Sequence, residues 1–164
     1  MKLYLVRHGQ PNPETVDAEK GLSPNGEQEI ELLASILKAN SISVKEIWHS
    51  DKTRARQTAA ILASGISCTN GFVEIKGLNP TDRIEPIIGK ILAAQADLMV
   101  VGHMPFMAHL ASLLLAGDEH RLAMNFDTGA MACLDYAHGR WTLEWFAYPR
   151  LFKLGDLLDF RSYH

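Results

Sequence analysis

The sequence predicts one α/β domain over residues 1–164: a single three-layer unit with a mostly parallel central sheet, helices on both faces and a late antiparallel hairpin. Three observations carry this. Short β-like runs alternate with longer stretches of helical periodicity along most of the chain. The strand candidates at 2–6 and 98–101 are apolar at nearly every position, as strands buried on both faces are. The final third changes character, with two strand-like runs meeting at His138-Gly139, a hairpin-type dipeptide.

Residues 2–6 form the first strand candidate, and residues 10–21, with Pro11, Pro13 and several acids, read as a loop. Ser23 is a plausible N-cap for the following helix, Pro24 suits its first turn, and Asn40 is a reasonable stop. Ile30, Leu33, Ala34 and Leu37 give that helix one apolar face. Residues 44–49 read as a second strand, and residues 52–63 as a helix that Gly65 ends in the left-handed conformation. A short strand at 72–75, a helix at 84–96 and an apolar strand at 98–101 follow. A strongly apolar helix at 106–115 stops at Gly117, and the hairpin strands are 129–136 and 141–148. The last ~10 residues read as a tail. No repeat, linker or low-complexity tract interrupts this order.

With 164 residues, 47% hydrophobic and 21% charged, the chain has the composition of an ordinary globular domain. Its formal charge of -3 and the lack of a Lys/Arg run argue against a nucleic-acid partner. No apolar stretch reaches membrane-span length, and the run inside MKLYLVRHG is too short for a signal peptide. The two cysteines, Cys68 and Cys133, form no CxxC pair and read as reduced, buried thiols. These features together place the expected protein in the cytoplasm, without a membrane partner.

Ligands in such sheets gather at the carboxyl ends of the parallel strands, and the chemically notable residues cluster there. Arg7-His8-Gly9 follows the first strand. A strand-end histidine that merely caps the sheet is the bland reading, and Gly9 suits a sharp turn or a close approach by a ligand. Ser50 to Ala59 follows the second, with Ser50 as a candidate cap that leaves helix N–H groups free. Arg54 lies near that helix start, whereas Arg56 points elsewhere. Gly102-His103-Met104-Pro105 follows the fourth, with Pro105 suited to a helix start. A lone strand-end histidine is most often structural. Two of them, with arginines beside and between, suggest an anion site.

Taken together, these segments resemble the histidine phosphatase superfamily. Leu5-Val6-Arg7-His8-Gly9 matches its Arg-His-Gly signature, Ser50 to Ala59 its Ser-x-x-x-Arg-Ala-x-Gln-Thr-Ala element, and Gly102 to Pro105 its Gly-His-x-Pro element. Leu22-Ser23-Pro24-Asn25-Gly26 is similar to the family's leucine-threonine-x-x-glycine helix start, and Asp51 stands where a proline is common. The short length resembles the compact SixA-type phosphohistidine phosphatases. The resemblance implies a cofactor-free, metal-independent phosphatase with His8 as nucleophile and Arg7, Arg54 and His103 around the transferring phosphoryl group. Gly9, Ser50, Gly102 and Lys20 are further candidates for phosphate or substrate contact, although Lys20 reads equally well as a solvated loop lysine.

The proton donor is the open position. Where many members carry a carboxylate, this chain has Gly77, beside Leu78-Asn79-Pro80. Asp17 is the first choice among the loop acids, ahead of Glu14 and Glu19. The expected partner is a phosphorylated protein of the histidine-phosphorelay or phosphocarrier type, or a small phosphomonoester. A metal held by His8, His49 and His103 is a competing reading, but no HxH or HExxH spacing supports it, and nearby arginines would repel the ion. His49, His109, His120, His138 and His164, with Trp141, Trp145 and Phe146, read as packing, loop, turn or tail residues.

Overall fold

The computed structural model describes residues 1–152; the expected tail and His164 lie outside them. In chain order the elements are β1 (Lys2–Arg7), α1 (Pro24–Ala39), β2 (Ser43–Val44), β3 (Glu46–His49), α2 (Thr53–Gly65), β4 (Ser67–Cys68) and β5 (Phe72–Glu74). Then come α3 (Glu85–Ala94), β6 (Leu98–Gly102), α4 (Phe106–Ala116), β7 (Met131–Ala137) and β8 (Arg140–Ala147), with a 3-10 turn at Pro149–Leu151. Six strands form the central sheet in the order β5-β3-β6-β1-β7-β8. The first four run parallel, and β7 and β8 add the antiparallel hairpin beside β1. His138 and Gly139, with φ of 53° and 76°, make its turn.

Alternation along β1 explains the three layers. Leu3 and Leu5 face a core built with Ile87 and Ile91 of α3 and Phe106 and Leu110 of α4. Tyr4 and Val6 face the other side, where Ile30, Leu33 and Leu37 of α1 meet Ala55, Ala59 and Leu62 of α2. Trp141 packs in the first core, Trp145 against the second, and Phe146 edge-on to Phe126 at 4.9 Å.

Some boundaries differ from the sequence reading. The expected strand 44–49 is broken at Lys45, whose N–H bonds Asp97 O. Before the break, β2 pairs with β4 in a separate two-stranded sheet, an element too short to leave a periodic signal. The helix expected at 84–96 stops two residues early because Gln95 takes a left-handed φ of 44°. Gly117 ends α4 in the left-handed conformation as expected, with φ 72°. Gly65 does not; it is the last residue of α2. Its missing side chain serves packing instead, since a Cβ there would lie 2.6 Å from the Ala34 Cβ of α1. Ser23 caps α1 as expected, accepting the Gly26 N–H at 3.0 Å, and Asn40 closes it.

Candidate active site

Strand register brings the three singled-out segments together. Arg7 pairs with Gly102, and His49 with Val101, so His8, Ser50 and His103 leave three neighbouring strands at nearly the same level. All three are buried.

His8 is held on every side by backbone. Its N–H donates to Gly102 O at 3.0 Å, and the Gly129 N–H reaches the carbonyls of Arg7 and His8 at 3.1 and 3.0 Å. Its ring Nδ1 lies 2.7 Å from Gly9 O. A carbonyl only accepts, so Nδ1 carries the proton and Nε2 keeps a lone pair. The Arg54 Nε–H donates to that nitrogen at 3.3 Å. Burial pushes the imidazole pKa down to about 3; the Gly9 carbonyl opposes this, while His103, Arg54 and Arg7 reinforce it. His8 is therefore a neutral ring at neutral pH, with its Nε2 lone pair held in a fixed direction.

His103 stands beside it, ring centroids 5.0 Å apart. Its Nε2 is 2.6 Å from Ser50 Oγ, and its Nδ1 is buried without a partner among the described residues. Burial first, then the charges of Arg54 and Lys52, lower its pKa to about 4, with Asp51 opposing. Arg7 donates from Nη1 to Phe126 O at 2.9 Å, while its Nε is buried and unpartnered among the described residues. Burial lowers the pKa of both arginines; for Arg7 the Asp127 carboxylate opposes that, itself paired with Arg150 at 2.5 Å. Donors left unpaired inside a protein are costly. A tetrahedral oxyanion is the kind of partner such groups can take, and the two arginines beside the histidines supply the matching charge.

The secondary candidates fall elsewhere. A Cβ at Gly9 would sit 2.8 Å from Ile30 Cγ1 and 3.2 Å from Gly26 O, so it is α1 that approaches closely at Gly9. At Gly102 a Cβ would meet Met107 Sδ at 2.6 Å, and its carbonyl is spent on His8; it packs the strand end. Ser50 does not cap α2, whose N-cap is Lys52 with no side-chain bond; it faces His103. Lys20 pairs with Glu14 at 2.8 Å. Asp17 accepts the Glu19 and Gly21 N–H groups at 3.0 and 2.8 Å, one on each oxygen, and so braces its own loop. Glu19 meets Thr53 Oγ1 at 3.4 Å. Gly77 sits at φ 96° with no side chain to offer. The His49 ring bonds Ser50 O at 2.8 Å and tilts on Phe72. Among the described residues no group of three or more His, Cys, Asp or Glu could hold a metal ion.

Two supporting residues escaped the sequence reading. Thr58, fully buried, accepts the Gly9 N–H at 3.0 Å and donates to Arg54 O at 2.8 Å, tying the His8 turn to α2. Gln57 accepts the Leu22 N–H at 2.7 Å and fixes the end of the first loop. The available signal was spacing, since Thr58 lies four residues after Arg54 on the same helix face. Nothing in the sequence announced the bond from Arg7 to Phe126 O or the nearby charge of Asp127, which come from an irregular segment.

Comparison with known proteins identifies the family and the fold. The sequence profile of the histidine phosphatase superfamily (branch 1) matches residues 3–80. Phosphohistidine phosphatase SixA of Escherichia coli K12 is 23% identical over 164 residues, covering 96% of this chain and all of the relative. A structure of the protein histidine phosphatase SixA complexed with tungstate superposes with a TM-score of 0.83 at 23% identity, over 93% of this chain and all of the other. An α-ribazole phosphatase structure from Shigella flexneri gives 0.72 at 16% identity, over 91% and 97% of the two chains. The chain belongs to the histidine phosphatase superfamily and is a phosphatase.

Proposed function

We propose that the protein hydrolyses the phosphoryl group of phosphohistidine in another protein, through a phosphohistidine intermediate on its own His8. One observation carries this reading: the Gly9 carbonyl fixes the His8 proton on Nδ1 and leaves Nε2 bare beside Arg54. In the first step that lone pair attacks phosphorus in line, the N–P bond to His8 forms, and the P–N bond to the substrate imidazole breaks. Arg7, Arg54 and His103 surround the oxygens as charge spreads onto them. Water then attacks the phosphorylated His8, releasing inorganic phosphate and restoring the free ring. Arginines supply the positive charge, so no metal or cofactor is invoked.

The surroundings of the leaving group favour phosphohistidine over an alkyl phosphate. Asp17 spends both oxygens on its loop, and Gly77 has no side chain. An alkoxide needs a proton placed by the enzyme. A phosphorylated imidazole takes its proton from water on the other ring nitrogen and departs as a neutral ring. The reading places the work of residues 1–164 in one domain acting in the cytoplasm, consistent with the free thiols of Cys68 and Cys133. No helix of the described residues is long and apolar enough to cross a membrane.

The test is phosphate release, without added metal, from a phosphohistidine-bearing protein and from simple phosphomonoesters, by wild type and His8→Ala. Rapid His8-dependent release from the phosphoprotein, with little from monoesters, is expected. A preference for monoesters would keep the chemistry and replace the substrate; release from neither would overturn the reading.

A further inference from the structure

The buried Ser50–His103 pair determines where the His103 proton sits. Ser50 is 1% exposed and His103 2% exposed, so each polar atom must find its partner inside the protein. The 2.6 Å contact between Ser50 Oγ and His103 Nε2 can be made in two ways. If Nε2–H donates to Oγ, the serine proton is left without an acceptor, and Nδ1 is a second orphan, as a bare lone pair. If the serine O–H donates to Nε2, Oγ remains free to accept, and the Lys52 N–H does point at it at 3.3 Å. Only Nδ1 is then left over, carrying a hydrogen. The second arrangement satisfies more buried groups.

We propose that Ser50 is a positioning residue: its hydroxyl, oriented by the Lys52 N–H, locks His103 in the Nδ1–H form and so makes its free nitrogen a donor to the transferring phosphoryl group. The proton assignment follows from the hydrogen-bond count; the consequence for rate rests on the proposed phosphatase reading. The arrangement matches the one at His8, where the Gly9 carbonyl also puts the proton on Nδ1. There the Nε2 lone pair, holding only the long 3.3 Å bond from Arg54, is the one that attacks phosphorus, while at His103 the Nε2 lone pair is spent on serine and the N–H is what remains. A neutral ring can therefore donate to phosphate without first taking up a proton. Two histidines of the same tautomer perform opposite tasks because the Gly9 carbonyl takes the N–H of His8, whereas the N–H of His103 has no partner among the described residues.

The test is ¹⁵N NMR of ring-labelled protein near pH 7, together with turnover, on wild type, Ser50→Ala and Ser50→Thr. Wild-type His103 should show a protonated Nδ1 and a bare, hydrogen-bonded Nε2. Ser50→Ala should lose that signature and drop in kcat/KM by roughly tenfold or more, while Ser50→Thr, which keeps the hydroxyl, should recover both. His8 signals unchanged across the series serve as the control for an intact fold. A protonated Nε2 on wild-type His103 overturns the proton assignment whatever the activity. Full kcat/KM in Ser50→Ala overturns the positioning role. Wild type inactive on phosphohistidine protein, with Nδ1 protonated as stated, overturns the proposed function and leaves the proton assignment standing.

Discussion

Replacing Thr58 by valine removes one hydroxyl and almost no volume, and the structure states what that hydroxyl does. It accepts the Gly9 N–H at 3.0 Å and donates to Arg54 O at 2.8 Å at a fully buried position. In the variant the Arg54 carbonyl keeps its place in the helix, but the Gly9 N–H loses its partner where water does not reach. An unsatisfied buried donor costs about 1–3 kcal/mol. For a chain of this size each kcal/mol lowers the melting temperature by about 2–4 °C. Turnover should suffer as well, because the loosened N–H belongs to Gly9, the residue whose own carbonyl, in the next peptide, orients His8. A kcat reduction on the order of tenfold is expected, since the supporting bond and not the nucleophile is removed. Urea unfolding at unchanged m-value, paired with phosphate-release kinetics, reads both effects, and Thr58→Ser should recover most of the kcat. A Thr58→Val protein as stable and as active as wild type would refute the claim that this hydroxyl ties the turn to the helix.

Further predictions concern pH and the first loop. With His8 at about pKa 3, kcat/KM corrected for substrate ionisation should show no acid limb near 6.5; an inflection there that stays in place for substrates of different phosphate pKa would contradict its depressed value. Stability should fall with acid for the same reason. Both site histidines titrate lower in the fold, at about 3 and about 4, than the ordinary 6.5 of an unfolded chain. Below 6.5 the unfolded chain binds protons that the fold refuses. Stability is thus fully present above that pH and is lost down to the folded values, by up to about 1.4 kcal/mol per pH unit for each ring. A double His8→Asn, His103→Asn variant should flatten that slope in denaturant titrations, and an unchanged slope would count against the burial argument. Gly26→Ala should destabilise by about 1–3 kcal/mol, since the new Cβ would fall 2.2 Å from Gln10 O, a backbone atom; a melting curve matching wild type would show that the α1 start yields freely.

Much of this was legible in the residues. The strands β1 and β6 are short, largely apolar and buried on both faces, so their pattern located the sheet and hence the edge where His8 and His103 emerge, with Ser50 at the end of the neighbouring β3. The helices α1 and α4 announced their starts and stops through Ser23, Asn40 and Gly117. The sequence was less informative where a residue's use depends on a distant partner. Gly65 resembles a helix stop, yet Ala34 of another helix decides its role. Ser50 resembles a cap, yet the neighbouring strand delivers His103 to it. Asp17 and Lys20 resemble free charges over the site, yet local backbone and Glu14 claim them first. The segment carrying Phe126 and Asp127 has no periodicity at all, so its grip on Arg7 came only with the fold.

The central claim is that His8 carries the phosphoryl group through Nε2. The measurement that tests it most directly is rapid quench of a single turnover into alkali, where phosphohistidine survives, followed by mass spectrometry of the peptide containing His8. The account predicts phosphate on the Nε2 position of His8, appearing before inorganic phosphate and decaying as it is released. Label on any other residue, or turnover that proceeds normally in His8→Ala, would contradict it.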